Sequence, residues 1–107
     1  MSDLDFTICC TVTFFSKKRR TPPNLNNGKY CPHLVIKGSE QLLGVNFIDG
    51  EDVTFDKQIG ANALPLYATD DYSTQQAGTE FCILEGGNIV GEGIVKELFQ
   101  HKPYGSK

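Results

Sequence analysis

Cys31-Pro32-His33 puts a thiol and an imidazole two residues apart. That pair does nucleophilic chemistry when the imidazole takes the thiol proton and a third group orients it, and no acid or oxyanion partner is identifiable beside this one. The same two side chains are potential metal ligands, but four-coordinate closure needs more donors of that kind nearby, and the other histidine, His101, lies in the C-terminal tail. Cys9, Cys10, Cys31 and Cys82 form no Cys-x-x-Cys pair. Neighbouring Cys9 and Cys10 on a strand would point to opposite faces, so free thiols are the reading. Asp49, Glu51, Asp52 and Asp56 lack the central glycine and final glutamate of a calcium loop and read as acidic turn residues. The densest functional signal is electrostatic: Lys17-Lys18-Arg19-Arg20, a basic run able to meet phosphates or an acidic partner. Neither a catalytic residue nor a cofactor, metal or small-molecule substrate is expected.

The 107 residues suffice for one domain that buries roughly two-thirds of its unfolded surface. With 39% hydrophobic residues, 10% aromatic, eleven glycines and five prolines, the composition is that of a globular chain rich in turns. The formal charge is −3, and four of the ten basic residues stand in the one run, so six face thirteen acidic residues elsewhere. An acidic body with one positive spot argues against broad, nonspecific nucleic-acid binding. No apolar run approaches the roughly 20 residues of a membrane span, and the acidic start Met1-Ser2-Asp3-Leu4-Asp5 does not resemble a signal peptide, so a cytoplasmic protein is expected.

The elements that must position these residues read as strands. Phe6 to Phe15 alternates apolar and β-branched residues and predicts a long strand ending in the basic run. Thr21 to Gly28, with Pro22 and Pro23 followed by three asparagines and a glycine, is a loop. Strands are predicted over Tyr30 to Lys37 and Leu42 to Ile48, separated by a turn at Gly38-Ser39-Glu40. Asp49 to Asp52 reads as a turn, Val53-Thr54-Phe55 as a short run, and Leu64 to Ala68 as an edge strand; the pattern from Asp56 to Ala63 decides nothing. After a loop over Asp70 to Gly78, the segment Phe81 to Val95 reads as strand, tight turn, strand, because Glu85-Gly86-Gly87-Asn88 supplies the positive φ of a two-residue hairpin. Gly91 and Gly93 strip side chains from one face of the return strand, which predicts a bulge or a second backbone packed against it. The last strand is expected to continue to Phe99, with a frayed tail beyond. Six or so strands with no helical period predict an all-β fold, here a six-stranded antiparallel Greek-key barrel.

The hairpin resembles the one that closes the C-terminal β-barrel, the third domain, of elongation factor Tu and its relatives. Phe81, Glu85-Gly86-Gly87 and Val90-Gly91-Glu92-Gly93-Ile94-Val95 match that family's aromatic residue, Glu-Gly-Gly and Val-Gly-x-Gly-Val-Val. Arg19-Arg20-Thr21-Pro22 resembles its Arg-His-Thr-Pro loop, Gly28 with Tyr30-Cys31-Pro32-His33 its Gly-Tyr-Arg-Pro-Gln, and Gly78 its glycine before the hairpin. The matches run in order through about residues 6 to 99. The resemblance implies a single barrel domain across residues 1 to 107 and no GTPase, since the chain carries no Gly-x-x-x-x-Gly-Lys-Ser/Thr phosphate loop.

In that family the third domain helps hold the T stem of aminoacyl-tRNA. The resemblance carries contact roles onto Arg19, Glu85 and Gly86, but Leu84 stands where the family has arginine, Asp71 where it has lysine, His33 where it has glutamine, Cys31 where it has arginine and Leu43 where it has threonine. These changes remove positive charge and donors from a phosphate-reading surface, so tRNA binding is expected to be weakened. The expectation is a non-catalytic module that engages a protein partner as a translation-related mimic or accessory protein, through residues drawn from Lys17, Lys18, Arg19, Arg20, His33, Glu85 and Gly86. Aminoacyl-tRNA or RNA binding is one alternative; an inhibitor or immunity-type protein unrelated to translation is another.

Overall fold

The computed structural model describes residues 6–39, 41–66 and 76–100, and the expectations for Asp71, His101 and the C-terminal tail fall outside them. Six strands, β1 (Phe6–Phe14), β2 (His33–Ile36), β3 (Leu42–Gly50), β4 (Ile59–Pro65), β5 (Glu80–Glu85) and β6 (Asn88–Gln100), follow one another with no helix among the described residues. All pairings are antiparallel, and the sheet closes into a barrel in the order β1-β4-β3-β2-β5-β6. Closure leaves no unpaired edge among the described strands. No described helix is long and apolar enough to cross a membrane.

The period-two pattern of β1 sends Phe6, Ile8, Cys10, Val12 and Phe14 inward, where they meet Leu34, Leu43, Val45, Phe47, Phe81 and Ile83 in one core. Cys9 and Cys10 do face opposite sides: Cys10 is buried and Cys9 partly exposed. Gly91 and Gly93 also face the core, and the space they leave is filled by a neighbouring backbone. A Cβ on Gly91 would stand 2.5 Å from the Thr13 carbonyl oxygen, and one on Gly93 would stand 2.5 Å from that of Thr11. Both expectations for these glycines hold, because the ladder is also bulged at Val90: Ile83 pairs with Gly91 and Leu84 with Ile89, leaving Val90 between them.

Three boundaries differ from the sequence pattern. β2 begins at His33, because Pro32 has no amide; the carbonyls of Tyr30 and Pro32 nonetheless accept from Phe47 and Val45, at 3.0 and 3.2 Å. β3 runs through Asp49-Gly50 instead of turning there, since the Asn26 side chain brackets the Gly50 backbone, its Nδ2 donating to the carbonyl at 3.0 Å and its Oδ1 accepting from the amide at 3.2 Å. β4 occupies Ile59–Pro65, overlapping the stretch that the pattern left undecided, while Val53-Thr54-Phe55 forms no strand. The inward residues of β4 include Ala61 and Ala63, which fill little space but sit opposite larger core side chains.

β1, β3 and β5 finish at the end of the barrel where β2, β4 and β6 begin. Three connections gather there: the loop after β1, the loop between β3 and β4, and the β5–β6 hairpin. Leu25 from the first loop is buried, lying 2.8 Å from where a Gly50 Cβ would stand, so it stoppers this end of the core.

A candidate binding face at the hairpin end

All seven sequence-predicted site residues lie at this one end. Lys17, Lys18 and Arg20 are exposed on the loop after β1, Arg19 is half-buried there, His33 opens β2, and Glu85 and Gly86 lead into the hairpin turn. Gly86 and Gly87 have φ values of 57° and 93°, the pair of positive angles that a type I′ turn requires; this two-residue loop sets Glu85 opposite Asn88 and Leu84 opposite Ile89.

Arg19 and Glu85 are brought into direct contact, with Arg19 Nε 2.8 Å from Glu85 Oε2. The same carboxylate oxygen accepts from the Tyr30 hydroxyl. The Arg19 guanidinium lies 5.6 Å from the centre of the Tyr30 ring and also donates to the Thr21 carbonyl. Tyr30 in turn stacks on Phe47 at 5.7 Å and meets Phe14 edge-on at 5.9 Å. Burial pushes the Tyr30 phenol well above its ordinary range; its bond to the Glu85 carboxylate and that group's charge push the same way, against Arg19. Tyr30 is thus a neutral donor anchored in the core, and it holds the Arg19–Glu85 pair in place.

That pairing alters the charge on offer. Arg19 spends its positive charge on Glu85. Lys17, Lys18, Arg20, Lys29 and Lys57 are exposed and form no ion pair among the described residues. Carboxylates share this end: Asp56 accepts from the Ser16 hydroxyl at 2.7 Å and Glu51 from the Gly60 amide at 2.6 Å, neutral donors that position both groups without taking up their charge, and Asp52 is exposed beside them. Asp56 adopts φ 63° to do so, with its own amide bonded to the Phe14 carbonyl at 2.7 Å.

His33 pairs with Leu84 across one side and with Gly44 across the other, half-buried on the outer surface of the barrel. The next outward row joins Leu42, Val35 and Cys82. Leu42 and Ile89 are 49% and 44% exposed, and the second row ends on β6 at Glu92, which Lys37 pairs, so the outer face beside the hairpin presents apolar side chains bordered by a neutralised carboxylate. Leu43, placed at a contact position by the resemblance, is wholly buried in the core and touches no ligand surface. Cys31 is exposed.

Sequence reasoning missed Tyr30 as the hub and Ile89 as the partner of Leu84. The second was available: a two-residue turn fixes the register, which makes the residues flanking Glu85 and Asn88 face each other.

A separate depression of about 440 Å³ lies over β1, β3, β4 and β6, lined by Cys9, Asp49, Glu51 and Lys96 among others. Burial raises the Cys9 thiol, as do Glu97 and Asp49, against Lys96, and burial pushes the Cys10 thiol up to about 12. Both thiols are therefore held protonated at neutral pH, the opposite of nucleophile activation.

No protein-family model matches the chain, and no curated protein matches it.

Proposed function

We propose that the chain is a non-catalytic binding module that engages a protein partner through the hairpin end of its barrel, a barrel that resembles the third domain of elongation factor Tu. The observation that carries this reading is the composition of the face beside the hairpin. Leu84 and Ile89 pair on its outer surface where a phosphate-reading face would present charge, and Arg19 is committed to Glu85. An exposed Ile89 beside a half-buried Leu84 favours a protein contact over a nucleic-acid one.

Aminoacyl-tRNA binding is the second reading, supported by the exposed cations Lys17, Lys18 and Arg20. A salt titration of labelled aminoacyl-tRNA separates the two. The protein-binding reading expects no saturable tRNA complex at low salt. A complex whose affinity falls steeply with salt, and which Lys18→Ala with Arg19→Ala abolishes, overturns it in favour of RNA.

A further inference from the structure

We propose that the outer face of the hairpin and the basic loop beside it form a docking surface for an acidic protein segment that carries apolar side chains. This rests on the reading of the chain as a protein-binding module and specifies the chemistry of its partner.

The geometry places the two halves of such a surface side by side. The loop after β1 is anchored twice to the hairpin: the Phe15 amide donates to the Val90 carbonyl at 2.9 Å, and Arg19 pairs with Glu85. Lys17 and Lys18 lie between those anchors in the chain, exposed, in a turn closed by the Lys18 amide on the Phe15 carbonyl at 3.1 Å. Next to them the Leu84–Ile89 pair opens the apolar surface, which continues through His33 to Val35 and Leu42.

Charge complementarity selects the occupant. Glu85 is paired with Arg19, while Asp56 and Glu51 accept from Ser16 and the Gly60 amide; none of the three is ion-paired with Lys17 or Lys18 among the described residues, which leaves both ammonium groups open to a partner's carboxylates. A partner that buries Leu84 and Ile89 must also answer those two cations, which requires acidic residues flanking its apolar ones. The barrel has no open edge here, so the segment lies across the strands instead of adding to the sheet. Crossing from β3 to β6 covers three strand spacings, ~14 Å, or about five extended residues.

The same face is poorly made for single-stranded nucleic acid. Bases stack on exposed aromatic planes. The Tyr30 ring is covered by Phe47, Phe14 and Arg19, and the one exposed large aromatic among the described residues, Phe99, lies at the other end of the barrel.

The test is an amide chemical-shift titration of the whole protein with a short synthetic peptide of alternating Glu and Leu, beside the same peptide with Leu replaced by Ser and a single-stranded RNA of equal charge. The expected result is saturable shifts at Lys17, Lys18, Leu42, Leu84 and Ile89 with the Leu peptide alone. Ile89→Glu, at an exposed site that the fold tolerates, is expected to weaken binding by ~10-fold or more, and Lys17→Glu with Lys18→Glu to do the same. Shifts centred elsewhere, no shifts, or equal binding by the Ser peptide or the RNA overturn the inference. A photo-crosslinking side chain at position 89 keeps this failure distinct from failure of the broader reading. Capture of a basic or neutral protein overturns only the acidic chemistry, whereas saturable RNA binding with no protein crosslink overturns both.

Discussion

Removing one oxygen tests whether Tyr30 organises the hairpin end. Tyr30→Phe keeps the ring against Phe47 and Phe14 and deletes the hydroxyl that donates to Glu85. A hydrogen bond to a charged group contributes ~1.5–3 kcal/mol, and water reaches the 29% exposed Glu85 side chain, so the lower figure applies. At ~1.5 kcal/mol, a domain near this size loses about 6–12 °C in melting temperature. The assay is thermal and urea unfolding of the wild type, Tyr30→Phe, Glu85→Gln and the double variant. If hydroxyl and carboxylate act as a unit, Tyr30→Phe has a much smaller effect in the Glu85→Gln background, with a coupling of ~1 kcal/mol. A loss under ~0.5 kcal/mol, or the same loss in both backgrounds, refutes the hub.

The core-facing glycines give a second expectation: Gly93→Ala would set a methyl 2.5 Å from the Thr11 oxygen and 2.6 Å from Phe81 Cζ, so it destabilises by ~3 kcal/mol or more in urea unfolding. Gly86→Ala meets open space and carries only its positive-φ strain, ~1–2 kcal/mol. Leu25→Ala opens the stopper at the barrel end and is expected to lose ~2–5 kcal/mol, read from the urea midpoint. Alkaline stability follows from raised pKa values. The Cys10 thiol, raised from 9.0 to about 12, binds its proton more tightly when folded, so its stabilisation is complete below pH 9 and is lost as pH rises toward 12. The unfolding free energy should fall by ~1.4 kcal/mol per pH unit in that window from this group alone, and Cys10→Ala should flatten the slope by that amount.

How far the sequence reached differs between the fold and the site for one physical reason: alternation is local, whereas contacts across the barrel are not. β1 and the hairpin were legible because Phe6, Ile8, Val12 and Phe14 alternate and Gly86-Gly87 can adopt only a few turns. β4 was not, because Ile59-Gly60-Ala61-Asn62-Ala63 places small residues inward and weak strand formers outward; its partners hold it. The turn signal at Asp49-Gly50 was overridden by Asn26, a side chain 24 positions away. Likewise, Arg19 and Glu85 were each legible as candidates, but their bond to each other was not, and Tyr30 meets Glu85 across 55 residues. Charge counted along the chain gave four free cations in the run; the fold leaves three of them without an ion pair among the described residues.

That lost cation bears on how a partner would be sensed. Arg19 touches Glu85, Thr21 and the face of Tyr30, and Tyr30 packs on Phe47 and Phe14 in the core. An acidic ligand that competes for Arg19 must break its pairing with Glu85, and the freed carboxylate, still bound by Tyr30, would then repel the ligand. A ligand that uses Lys17 and Lys18 instead encounters no such penalty, because neither is paired among the described residues. Glu85→Gln separates these routes. It releases Arg19 and removes the repelling charge, so the affinity of the Glu/Leu peptide should rise if Arg19 is the anchor and stay within ~2-fold if Lys17 and Lys18 are. The geometry favours the second outcome: the lysines stand exposed and without an ion pair among the described residues, on a loop tied to the hairpin at Val90 and Glu85, while the arginine serves to fasten that loop.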